Sequence, residues 1–255
     1  MNDVEQKFWR RVEKYLPILR IIPFVKMVAI CNNLSFGRVD EHSDIDIFVV
    51  AERGRLFFVR SFITFLLHIS GVRRHGNKVA GRFCLSFFVD EEGTDLSKIA
   101  LEKDIYLAFW VKNLVPVIDN GFASEFMRKN DWIRGYFEDD EFELGHDKIF
   151  KKGRLGLFFN KILCFIFGGK FGNFIENKFA KWQLIRARKK MNFAGERSDL
   201  IITEHILKFH NIDRRRDYRK MWTEKFGDAK LSKDKFLALD LYERRKFSRH
   251  TSVIS

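Results

Sequence analysis

Asp44 and Asp46 stand two apart in the segment Ser43–Asp44–Ile45–Asp46–Ile47–Phe48–Val49–Val50. On an apolar strand that spacing sends both carboxylates to one face and Ile45 and Ile47 to the other. Two neighbouring carboxylates repel, and the arrangement is expensive unless a cation lies between them. A hard divalent ion such as Mg²⁺ takes oxygen ligands of this kind, commonly one or two carboxylates together with substrate phosphates. Upstream, Asn32–Asn33–Leu34–Ser35–Phe36–Gly37 reads as a tight turn after a strand, where backbone N–H groups could approach a phosphate. Turn and carboxylate pair together suggest a metal–nucleotide site. Taken alone, an Asp-x-Asp also fits a solvated strand edge.

The same residues resemble the DNA polymerase beta-like nucleotidyltransferase superfamily. Its pattern is roughly G-S-x-x-x-G, a short loop, then S-D-x-D followed by apolar residues. Gly37 takes the second glycine, and Ser43, Asp44 and Asp46 take the S-D-x-D positions; Asn32 and Asn33 fall where the family has Gly-Ser. Asn tolerates turn conformations and its amide can bond a phosphate. The resemblance implies transfer of a nucleoside monophosphate from a nucleoside triphosphate (NTP) to a hydroxyl-bearing acceptor, with release of pyrophosphate. Asp44 and Asp46 would ligate Mg²⁺ or Mn²⁺. Asn32, Asn33, Ser35 and Gly37 would lie at the β- and γ-phosphates, and Ser43 would orient Asp44. The family usually carries a third carboxylate on the strand after the next helix, where it helps deprotonate the attacking hydroxyl. Here that strand, Arg82–Asp90, has no acid in its middle. Ser86 stands at the position, or Asp90 at the strand end serves; Cys84, Ser86, Phe88 and Asp90 share a face by alternation. Asp90 also reads as a solvated strand end.

A second cluster, Leu207–Tyr218, concentrates Lys208, His210, Asp213, Arg214, Arg215 and Arg216. Lys208 with Arg214 or Arg215 could meet phosphates, because arginine forks pair with phosphate oxygens. The structural alternative bonds His210 to Asp213 in a bend and leaves the arginines solvated or salt-bridged.

The chain has 255 residues, 46% of them apolar, and a formal net charge of +13. It can bury a core and is not a disordered chain. The charge favours nucleotides, nucleic acid or anionic membrane surfaces as partners, or reflects a general charge bias. Phenylalanine is abundant at 29 residues and proline scarce at 3, which favours helices and buried strands. Cys31, Cys84 and Cys164 lie far apart in apolar runs, an odd count with no metal-ligand spacing; they read as reduced core residues of a cytoplasmic protein.

Periodicity predicts a helix over 3–20, a strand over Phe24–Cys31, a strand over Asp44–Val50, a helix over Leu56–Ile69 and a strand over Phe83–Val89. A helix from about Ile99 to Val115 follows, then a turn at Asp119–Gly121, a helix over Phe122–Tyr136 and an acidic connector over Glu138–Glu143. The apolar run Leu155–Phe167 is too short to span a bilayer core of about 30 Å. It reads as a buried helix of a bundle, with a membrane-surface anchor as the other reading. From Phe171 an amphipathic helix carries a basic surface, and Lys230–Arg249 reads as a further helix. The expected whole is α/β (α+β): a mixed-sheet nucleotidyltransferase core over 1–118 and a helical domain over 119–255, with no transmembrane segment. The rival is a catalytically weak or inactive protein of that fold that binds RNA or nucleotide through its basic surface. The acceptor, whether small molecule, RNA or protein, is left open.

Overall fold

The computed structural model describes residues 2–138, 154–192, 199–210 and 213–239. The continuous apolar runs become the centre of a sheet. β1 (Val25–Cys31), β2 (Ile45–Ala51) and β3 (Phe83–Asp90) are almost wholly buried, as strands covered on both faces must be. With β4 (Val115–Asp119), β5 (Asp199–Ile202) and β6 (Ile206–His210) they form one mixed six-stranded sheet in the order β4-β1-β2-β3-β6-β5. β2 and β3 are parallel, and the other pairs are antiparallel.

Helices cover both faces. α1 (Asp3–Ile21) starts where the Asn2 side chain accepts from the Glu5 amide at 2.7 Å, and buries Phe8, Trp9, Val12, Leu16 and Leu19. α2 (Asn32–Phe36) is a single short helix closed by Gly37 in the left-handed region, φ 74°. α3 (Leu56–Ile69) makes the crossover between the parallel strands and shares with α1 the face carrying Val28, Ile30, Ile47 and Val49. α4 (Ile105–Lys112), α5 (Ala123–Lys129) and α8 (Arg215–Phe226) cover the face carrying Ala29, Phe48 and Phe87. The phenylalanine content is spent here: Phe48 meets Phe87 at 5.0 Å and Trp110 at 5.2 Å between ring centroids.

The expected mixed α/β class, with helices after the core strands, is the one observed. Several expected elements change. The helix expected over Ile99–Val115 is shortened to α4: 3₁₀ turns at Glu91–Thr94 and Leu96–Ile99 precede it, and Asp104 caps its start by accepting from the Leu107 amide at 2.9 Å. Val115 opens β4, an edge strand that tolerates Pro116. The boundary expected at 118 falls inside β4, and β5 and β6 extend the same sheet, with Phe87 opposite Lys208.

The buried-helix expectation for the apolar run is overturned. α6 (Arg154–Ile166) does form, but only one side of it meets the body, where the Asn160 amide donates to the Ile22 carbonyl at 2.8 Å. Leu157, Phe158 and Ile166 are exposed, and Phe165 is 89% exposed. α7 (Gly169–Asn192) packs on α3 and leaves Phe171, Phe174 and Trp182 in solvent. No helix among the described residues is long and apolar enough to cross a membrane. Residues 233–239 are helical; the rest of the expected C-terminal helix, and most of the acidic connector, lie outside the described residues.

Candidate metal and nucleotide site

Strand register assembles the site. Asp46 lies opposite Cys31 on β1 and opposite Cys84 on β3. Asp44, Asp46 and Cys84 each offer a ligand atom within 4.8 Å of the others. Asp46 is only 9% exposed. Burial first, then the neighbouring Asp44 carboxylate, pushes its carboxyl up to about 6; hydrogen bonds from Asn32 and Cys84 and the charge of Arg74 hold it back. Burial, and then Asp46 and Asp44, push the Cys84 thiol up, so it stays protonated and donates to Asp46. Cys31 is raised in the same way, by burial first and then Asp46.

Arg74 comes from the loop between α3 and β3, pinned there by its own amide donating to the Phe83 carbonyl at 2.9 Å. Its Nη1 donates to Asp44 Oδ2 at 2.6 Å and reaches Cys84 Sγ at 3.6 Å. One of the two carboxylates therefore has a counter-charge, and the more buried one does not share it directly.

Asn32 has φ 57°, a conformation that asparagine adopts at lower cost than most side chains. That accounts for an asparagine where the resembling pattern has glycine. Its side chain is committed inward: Oδ1 accepts from Trp110 Nε1 at 3.0 Å, and the amide bonds Asp46. The phosphate contact expected of Asn32 is thus replaced by bracing of the carboxylate. Asn33 is half-buried on the first turn of α2, its carbonyl accepting from the Arg38 amide at 2.7 Å. Ser35 Oγ donates to the Asn32 carbonyl at 3.0 Å, and Gly37 is exposed with open space around it. Ser43 closes the loop before β2: its hydroxyl donates to Asp40 Oδ1 at 2.8 Å and accepts from the Asp40 amide at 3.0 Å.

Other expected residues lie elsewhere. Asp90 ends β3 opposite Ala51, six positions from Cys84, a separation of about 20 Å along a strand. There it accepts from the Glu92 and Gly93 amides and meets His205 Nδ1 at 2.9 Å. Asp90 is a cap, and the structure does not bring it to the pair. Lys208 is buried on β6 with its ammonium 5.6 Å from the Phe87 ring centroid; two strand spacings, about 10 Å, separate β6 from β2. Arg214 is exposed just before α8. Arg215 takes the structural alternative: it is buried, holding Asp213 Oδ2 at 2.8 Å and the Ile99 carbonyl at 2.7 Å. The side chain of His210 lies outside the described residues.

The sequence reading missed Arg74 and Cys84. A strand–helix–strand unit points to adjacent parallel strands, which brings β3 next to the pair, but the register that sets Cys84 opposite Asp46 comes from the structure. A cavity of about 970 Å³ among the described residues lies on the opposite sheet face, lined by Arg60, Arg73, Leu85, Phe179, Trp182 and Phe209 among others. Comparison of the chain with protein-family models, with curated proteins and with solved structures finds no match.

Proposed function

We propose that the protein is a metal-dependent nucleotidyltransferase that moves a nucleoside monophosphate from an NTP to a hydroxyl-bearing acceptor, releasing pyrophosphate. The observation that carries this reading is the carboxylate pair: Asp44 and Asp46 lie within 4.8 Å of each other, and Asp46 is nearly buried and resists ionisation. A hard divalent cation fits this donor set, since it relieves both the repulsion and the burial cost. The protonated Cys84 thiol fits as a donor to Asp46, not as a soft ligand. The elements around the pair support the reading too: strand, short helix with a left-handed glycine, strand with the carboxylates, helix, parallel strand.

Mg²⁺ or Mn²⁺ bound here would polarise the α-phosphate and steady the departing pyrophosphate. Asp44 and Asp46 would hold the ion. Asn32 and Cys84 fix the Asp46 carboxylate from two sides. Arg74 supplies Asp44 with a counter-charge and has the forked donors suited to phosphate oxygens. Gly37 is exposed with open space around its Cα, as a turn that receives a triphosphate requires.

One observation favours a second reading, a nucleotide- or RNA-binding protein with weak catalysis. The β3 residue in register with Asp46 is a cysteine, and Asp90 is at the far end of the strand. Incubation with each α-labelled NTP, Mg²⁺ or Mn²⁺ and cell extract separates the two. Metal-dependent transfer of label that falls at least ~10²-fold in folded Asp46→Asn supports the enzyme. Salt-sensitive RNA binding without transfer supports the second reading.

A further inference from the structure

α6 and α7 expose an apolar face that nothing among the described residues covers. On α6, Phe158, Phe165 and Ile166 are exposed, while Asn160 and, just past the helix, Phe167 turn to the body; on α7, Phe171, Phe174 and Trp182 are exposed as well. Large apolar side chains exposed in number on two successive helices mark an interaction site. The charge around it has one sign. Lys161, Lys170, Lys178, Lys181, Arg186 and Lys189 are exposed, and the only carboxylate between residues 154 and 192 is Glu176. Glu176 is buried, accepting from the Phe57 and Phe58 amides at 2.9 and 2.6 Å. Two of the cations lie against the exposed rings: Lys178 Nζ is 5.4 Å from the Phe174 centroid, and the Arg186 guanidinium is 5.1 Å from that of Trp182.

We propose that this face docks the protein, in the plane of the interface, on an anionic lipid bilayer. Helices that lie in the headgroup region combine Phe, Leu and Trp with a basic flank in this way. Aliphatic stems of Lys and Arg lie along apolar surface while their charges reach the phosphates. α6 has 13 residues, a length of about 20 Å, short of the bilayer core of about 30 Å; lying on the surface needs no more. The charge decides against the competing occupants. A second copy seated on this face would bring cations to cations. A nucleic acid would match the cations but leave the phenylalanines and isoleucine of α6 with no apolar partner. The cavity adds a further sign of an anionic ligand: it adjoins the face through Phe65, Trp182 and Arg186, and holds Arg60, whose buried Nε has no hydrogen-bond partner. The inference stands independently of nucleotidyl transfer.

Flotation of the full chain with vesicles tests it, using phosphatidylcholine alone and phosphatidylcholine mixed with phosphatidylglycerol. The protein is expected to float with the mixed vesicles and far less with the neutral ones. Phe158→Glu combined with Phe165→Glu should lower that binding about tenfold or more, with the melting temperature unchanged because both rings are exposed. Lys178→Glu with Lys181→Glu leaves the apolar residues in place and should also weaken binding to the mixed vesicles. No flotation with anionic vesicles, or undiminished flotation of the Phe158/Phe165 variant, overturns the proposal. So does a dimer in light scattering that the Phe158/Phe165 variant splits while the parent ignores vesicles.

Discussion

Asp46 carries a cost in the folded chain that its neighbours only partly offset. Its carboxyl is raised from 3.8 to about 6, chiefly by burial and by Asp44. The sign follows from the direction of the shift. The folded state binds the proton more tightly than the unfolded state, so stability falls as pH rises through the window from 3.8 to about 6 and is fully reduced above it. Asp46→Asn removes the charge and keeps the shape. It is expected to be more stable than the parent at neutral pH by up to roughly 3 kcal/mol, with the gain fading towards pH ~4. Thermal melts of both proteins across pH read this directly, and a variant less stable than the parent at neutral pH contradicts it. Mg²⁺ should raise the melting temperature of the parent and leave that of Asp46→Asn unmoved. The pair itself was legible in the sequence, because alternation fixes which side chains share a face. Arg74 and Cys84 were not, because each reaches Asp44 or Asp46 only through the parallel register of β2 and β3. Asp90 misled because a register shift after Cys84 breaks the alternation: Phe87 and Val89 share the face of the pair, while Phe88 and Asp90, opposite Ala51, turn to the other.

Glu176 ties two elements far apart in sequence. Its carboxylate, on α7, accepts from the amides of Phe57 and Phe58 in the first turn of α3, where Arg55 offers no side-chain cap. A helix start leaves such amides unpartnered, and a negative charge there is favourable. Glu176→Ala strips both bonds and should cost about 2 kcal/mol; Glu176→Gln, which keeps an acceptor, should cost less. Urea unfolding measures the difference, and amide exchange at Phe57 and Phe58 should quicken in the Ala variant. Equal stability of parent and Ala variant would remove the cap from the account. The span of α3 was legible from its apolar periodicity, as were β1, β2 and β3. β4 was not, since five residues run on from α4 and contain a proline. β6 was hidden because its partner β3 is more than a hundred residues away, and single-sequence periodicity carries no long-range pairing; β5, which pairs only with β6, went with it. In the basic cluster on β6 and α8, composition suggested phosphate contacts, yet Arg215 is spent on Asp213 and the Ile99 carbonyl.

The whole molecule places a carboxylate pair on one face of a mixed sheet and two cationic, aromatic helices on the other, α6 against α1 and α7 against α3. A formal net charge of +13 suits both a triphosphate and an anionic surface. Sequence alone made α6 a core helix, because an apolar run shows what wants burial and not whether anything covers it; here nearly half of the Leu157 side chain and most of Phe165 meet solvent. The two surfaces are separable: Phe158→Glu with Phe165→Glu should leave nucleotide chemistry at Asp44 and Asp46 intact, and Asp46→Asn should leave vesicle binding intact. The reading of the site as a metal–nucleotide centre is tested most directly by Mn²⁺ binding, followed by electron paramagnetic resonance with and without ATP. The parent should bind Mn²⁺ more tightly with ATP present, and Asp46→Asn, correctly folded, should lose that binding. Mn²⁺ held equally well by parent and Asp46→Asn, or by neither, contradicts the site.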